Sequence, residues 1–167
     1  MLDAIQACKD AALRYCHGVD RLDPDVMKSA YWPDATDDHG NFVGNAHEFV
    51  DYCMVAHLRW RSTMHCVLNH LVEIDDDTHG RGEIYNVTYL FRNPEEGAAD
   101  DAPEILDTWW GRYLDRYEKR GDQWRIIERV CVNEGSMTTT VDKTMGNVAP
   151  YRPGSFDRPA AGRPIGP

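Results

Sequence analysis

Between Ser62 and Ile74 the chain alternates at every second residue, with Met64, Cys66, Leu68, Val72 and Ile74 on one parity. That period belongs to a β-strand and cannot be satisfied by a helix, whose apolar positions recur three and four apart. The other parity carries Thr63, His65, Val67, Asn69 and Leu71, apolar in the main but holding an imidazole and a carboxamide. The pattern predicts a sheet that buries one face and lines a cavity with the other, His65 looking into the cavity. On this reading Asn69 shares the face of His65.

Helical periods lie upstream. Ile5, Cys8, Ala12, Cys16 and Val19 recur at helical spacing from Asp3 to about Asp20. Asp23-Pro24 then opens a short helix to about Ala30, an N-cap acid followed by proline at the first helical position. A turn at His39-Gly40-Asn41 joins two short extended pieces, and Asn45 caps a third helix to about Arg59. Downstream, long strands are expected at 81–92, 106–118 and 124–133, joined by an acidic loop at 93–103 and a turn at 119–123. Helices first and antiparallel hairpins after them is an α+β pattern, a sheet curling around three N-terminal helices. Residues 1–138 form one domain on this reading. Residues 139–167, rich in Pro and Gly, form an extended tail.

A net charge of −10 opposes binding to nucleic acid or to anionic membrane surfaces, both of which need a basic face. Five cysteines without paired spacing read as reduced, buried thiols rather than a disulfide frame. No basic segment followed by an apolar one opens the chain, and no apolar run approaches a membrane span. A cytoplasmic protein is expected. Seven histidines raise the question of a metal, but they lie in different elements without ligand spacing, so none is expected. His65 and His70, five apart on a regular strand, point to opposite faces. Trp110 and Tyr113, from an aromatic-rich strand, are candidates to line an apolar pocket for a flat, ring-bearing ligand.

The order of elements and four segments carry a resemblance. They are Arg14 to Asp23 (Arg-Tyr-Cys-His-Gly-Val-Asp-Arg-Leu-Asp), Tyr31-Trp32-Pro33-Asp34-Ala35, Met64-His65, and the closing hairpin from Tyr117 through Trp124 to Ile127. Together they resemble the cone-shaped NTF2-like fold over roughly residues 3–135. Within it they are similar to the SnoaL-like branch, which includes polyketide cyclases, scytalone dehydratase and bile acid 7α-dehydratase. The resemblance implies that Asp20 pairs with His65 as a proton-transfer dyad and that Tyr15 stands where the dehydratases place a catalytic tyrosine. It puts Asn133 near the position of a substrate-facing arginine on the last strand. This chain has no carboxylate near Asn86 to Thr88, where the bile acid enzyme has a second acid. Five residues along a helix are about 140° apart, so Tyr15 and Asp20 can serve one site only if that site wraps the helix end.

The chemistry implied is that of a cofactor-free lyase or isomerase acting on a hydrophobic ring-bearing molecule, in a homodimer or homotrimer. A neutral imidazole accepts the proton while a carboxylate holds its other N–H. The alternatives are a small-ligand binder without catalysis and a structural subunit like the β chain of ring-hydroxylating dioxygenases.

Overall fold

The computed structural model describes residues 1–92, 95–99 and 102–141. Helix α1 spans Leu2–Arg21 and turns at Leu22 in a left-handed conformation, φ 50°. Helix α2, Pro24–Lys28, starts on the Asp23 carboxylate, which accepts the Val26 N–H at 3.0 Å. The two helices pack so closely that a Cβ on Gly18 would fall 2.4 Å from the Met27 nitrogen. Only glycine allows that approach. Strands β1 (Tyr31–Asp38) and β2 (Val43–Asn45) form the small hairpin, with Gly40 at φ +76° in its turn. The Asn45 side chain then caps α3 (Ala46–Ala56) by accepting the N–H groups of His47 and Glu48. A single 3₁₀ turn at His57–Arg59 leads into β3, Trp60–Ile74.

Strands β4 (His79–Arg92), β5 (Glu104–Arg120) and β6 (Gln123–Val141) complete a curved six-stranded sheet, order β2-β1-β6-β5-β4-β3. All pairings are antiparallel except β1 with β6, which is parallel and makes the sheet mixed. The NTF2-like α+β architecture is the one expected, with longer strands. Strand β6 runs through Val141, three residues into the segment expected to be tail, because Thr139 to Val141 pair with Leu106 to Glu104. The rest of that segment, 142–167, lies outside the described residues. The three helices cover one face of the sheet. Cys8, Ala12, Tyr15 and Val19 of α1 and Phe49 and Val50 of α3 are buried there with Ile84, Tyr113, Tyr117 and Ile126 of the sheet.

The alternation in β3 does not run unbroken. Its register against β4 shifts between Val67 and His70, a bulge that swaps the faces of everything after it. Thr63, His65 and Val67 before the bulge face the helices, and His70 and Val72 after it therefore do so too. Met64 and Leu68, expected in the core, are 54% and 56% exposed on the outer face. Asn69 sits in the bulge, exposed and off the face of His65, and His70 joins that face instead of opposing it.

Candidate functional site

The end of α1 delivers Asp20 onto β3. Its Oδ1 accepts the Thr63 hydroxyl at 2.8 Å and stands 2.6 Å from His65 Nδ1, while its Oδ2 accepts the His65 backbone N–H at 2.8 Å. Both side chains are largely withdrawn from water, 14% exposed for Asp20 and 8% for His65. Burial raises the Asp20 carboxyl, but the hydrogen bonds and charge of His65 and the Thr63 hydroxyl outweigh it and hold the group below the usual carboxylate range. An ionised carboxylate can only accept, so His65 presents Nδ1–H to Asp20, and its Nε2 bonds to no described residue.

Tyr15 meets this pair from the preceding turn of α1. Its ring stands edge-on to His65 with centroids 6.4 Å apart. Burial lifts its hydroxyl well above the usual tyrosine value, helped by the neighbouring Tyr113 and Tyr31, so the phenol stays protonated. Asp20 bonds His65 and the Tyr15 ring lies against it, both from one helix.

The other expected contributors divide. Tyr113 is buried on the inner face, 5.6 Å from Tyr15 between ring centroids, and its hydroxyl accepts the Asn86 amide. Asn86 in turn accepts Thr88, the cross-strand neighbour of His65. Trp110 is not in the site. It pairs with Val87 on the outer face, 38% exposed, and covers Gly135, where a Cβ would fall 2.5 Å from the indole. Trp109 takes the inward place and stacks on Tyr113 at 6.3 Å. Asn133 lies exposed beside Gly111 at a break in the β5–β6 register and is not brought to His65.

Five polar residues of the site went unread in the sequence. Arg129 of β6 is fully buried and donates Nε and Nη2 to Asp115 of β5, each at 2.7 Å. Its guanidinium lies 4.3 Å from the Tyr15 ring centroid and 4.2 Å from that of Tyr113. Asp37 and His39, at the end of β1, form a second acid–imidazole pair whose Nε2 reaches the Tyr15 hydroxyl at 3.2 Å. The available signals were Asp-x-His at a strand end, and single charges at inward positions of two adjacent strands. His57, from the 3₁₀ turn, lies parallel to His65 with centroids 6.2 Å apart. Burial, then the charge of His65, pushes it down to about 3.

Among the described residues no group of three or more His, Cys, Asp or Glu side chains could hold a metal ion. All five cysteines are free. No helix of the described residues is long and apolar enough to cross a membrane. A depression of about 430 Å³ opens on the outer face over Leu71, Leu114 and Val130, rimmed by Arg81, Glu83 and Arg116. It lies across the sheet from His65.

Helices laid over one face of a curved mixed sheet, with a polar cluster buried between the layers, define an NTF2-like α+β protein. The SnoaL-like domain model matches residues 1–130, and the chain belongs to that family. No curated protein matches the sequence. Among solved structures, a scytalone dehydratase-like protein from Novosphingobium aromaticivorans DSM 12444 superposes with TM-score 0.68 at 16% identity, over 82% of this chain and 91% of its own. A type 2 hexachlorocyclohexane dehydrochlorinase gives 0.69 at 19% identity, over 83% and 90%. The type 3 enzyme of Novosphingobium barchaimii LL02 gives 0.66 at 20%, over 83% and 91%. At these identities the likeness is one of fold.

Proposed function

We propose that the protein is a cofactor-free lyase or isomerase that takes a proton from carbon in a hydrophobic, ring-bearing small molecule. His65 is the base, Asp20 orients it, and the Tyr15 hydroxyl polarises a carbonyl or assists a departing hydroxyl. The observation that supports this most is the Asp20–His65 pair, 2.6 Å apart and mostly buried, with no described residue bonded to Nε2. The buried Asp20 carboxylate stabilises the imidazolium that forms when Nε2 takes the proton. The family, whose solved neighbours include a dehydrochlorinase, agrees with eliminations of this kind.

The test is a panel of cyclic and aromatic β-hydroxy and β-halo carbonyl compounds, followed by absorbance of the conjugated product and by solvent deuterium entering the acidic carbon. The expected result is turnover of at least one class by the parent chain. His65→Gln, which still donates towards Asp20, is then slower by about 10² or more while melting normally. Parent-like turnover in that variant would mean a pair that only holds β3 to α1. Binding of panel compounds without turnover or exchange would favour a ligand-binding module instead.

A further inference from the structure

The Proposed function uses one acid–imidazole pair, but two converge on Tyr15. The Tyr15 hydroxyl stands 3.2 Å from His39 Nε2. His39 Nδ1 is held by Asp37, whose second oxygen accepts the Tyr31 hydroxyl at 2.7 Å. Asp37 and Tyr31 are buried, and Phe49 of α3 stacks flat on the His39 ring at 4.2 Å. The imidazole thus has one orientation available, with Nδ1 towards a carboxylate and Nε2 towards a phenol. Neither Asp37 nor His39 has a role in the base chemistry of His65.

We propose that Asp37, His39 and Tyr15 form a proton relay separate from the Asp20–His65 pair, with His39 setting which way the Tyr15 hydroxyl points its proton. When His39 is neutral its Nδ1–H goes to Asp37, so Nε2 is an acceptor and Tyr15 O–H donates inward. When His39 is protonated, Nε2–H donates to the phenol oxygen, and the Tyr15 proton is released to face the site. His39 is accordingly a positioning residue that acts through Tyr15.

The surrounding charges permit this. Facing the relay are Arg129 of β6 and its partner Asp115 of β5, Tyr113 of β5, Tyr31 of β1, Cys53 of α3, His57 of the 3₁₀ turn and His65 of β3. Arg129 and Asp115 cancel each other. Asp37 and Asp20 are two further carboxylates, each facing one imidazole.

The consequence rests on the lyase reading. In an elimination, His65 Nε2 takes the carbon-bound proton and the C–H electron pair becomes the new double bond. The leaving hydroxyl departs with its own pair and takes the Tyr15 proton to form water. His39 Nε2–H refills Tyr15. The cycle ends with His65 protonated and His39 neutral, and one proton passing from His65 to bulk water and one from water to His39 restores the start. A substrate whose leaving group needs a proton, such as a hydroxyl, is therefore favoured over one that leaves as a halide.

The test needs no substrate. In the full chain labelled with ¹⁵N-histidine and ¹³Cζ-tyrosine, the His39 ring nitrogens and Tyr15 Cζ are followed as pH is lowered. The expected result is an unprotonated His39 Nε2 at high pH and a Tyr15 Cζ shift that moves in one step with the His39 nitrogens. That step is kept in His65→Gln and lost in His39→Gln. A Tyr15 signal that is constant while His39 titrates, or that follows His65 instead, overturns the relay, and the parent chain alone decides this if His39→Gln does not fold. Elimination assays fail or succeed separately: an active enzyme with an uncoupled Tyr15 rejects the relay and leaves the His65 reading standing. With an active substrate in hand, His39→Gln lowers kcat by about 10² with KM little changed.

Discussion

Arg129 and Asp115 face each other across β5 and β6 as a two-pronged ion pair with neither side chain exposed. Tyr15 and Tyr113 lie against the guanidinium, and the Tyr117 hydroxyl donates to Asp115 at 3.0 Å. Burial works against the Arg129 charge, but Asp115 and the tyrosines hold its ionised form firmly. The pair is the electrostatic floor on which Tyr15 rests.

Breaking one half should be severe. Asp115→Ala leaves a buried guanidinium with no counter-charge, a loss of about 3–5 kcal/mol. Urea unfolding is expected to show it. The double variant Asp115→Leu with Arg129→Met should recover much of that loss, because it leaves no charge unpaired. A single variant within about 1 kcal/mol of the parent would show that water or chain relaxation rescues the charge.

Acid should destabilise the fold in two stages. Burial first, then the charge of His65, pushes His57 down to about 3, and burial pushes His70 down to about 4. The unfolded chain binds protons at these imidazoles below about 6.5, where the folded chain does not, so stability falls as pH drops from there towards 4 and 3. The Asp20 carboxyl, held low in the fold, adds a loss only below its unfolded value, as pH falls through its folded one. Urea midpoints between pH 7 and 4 should decline, and His57→Phe should flatten the decline. A midpoint independent of pH over that range would show both imidazoles to be open to water.

Asp20→Asn should cost both rate and stability. The carboxylate accepts from Thr63 and from two groups of His65, and an amide puts a donor against one of them. The His65 ring is then free to take the other tautomer, and turnover of a panel substrate is expected to drop by about 10² or more. Melting should show a loss of about 1–3 kcal/mol. Unchanged kinetics alongside lowered stability would assign Asp20 a purely structural role.

The outer face of the sheet is expected to bind a second or third copy of the chain. Leu71 is 63% exposed there, and Leu68, Leu114 and Trp110 continue the apolar surface. Paired charges surround it, Arg112 with Glu83 and Glu134, Arg116 with Glu128. Such a patch, ringed by both signs of charge, suits a self-complementary contact. Light scattering at micromolar concentration should give a dimer or trimer, and Leu114→Lys a monomer. A monomeric parent chain would dispose of the idea.

Local chemistry made much of the fold legible. The caps of α2 and α3 depend on Asp23 and Asn45 and on amides two or three residues away, so a short window holds all the information. The long strands announce themselves by alternation, and the segments around Asp20 and His65 carry a family likeness that named their pairing before any distance was known. The catalytic use of that pairing is still a proposal. Side-chain direction within the strands was less legible. Strict alternation from Ser62 placed Met64 and Leu68 inside and His70 opposite His65; the helices instead cover the parity of Thr63 and His65, which leaves Met64 and Leu68 outside, and the bulge after Val67 brings His70 to the face of His65.

The sequence by itself determined which segments become helices and strands, and which acid and imidazole the family likeness brings together. Only the tertiary structure decided that Trp109 rather than Trp110 faces the site, that Asn69 and Asn133 stand outside it, and that His39 and Arg129, held by Asp37 and Asp115, meet Tyr15. The reason is physical. Caps and periodicity are settled by neighbours a few residues apart, whereas the partner of a buried charge is settled by strand register, and a slip of one residue turns every later side chain to the opposite face.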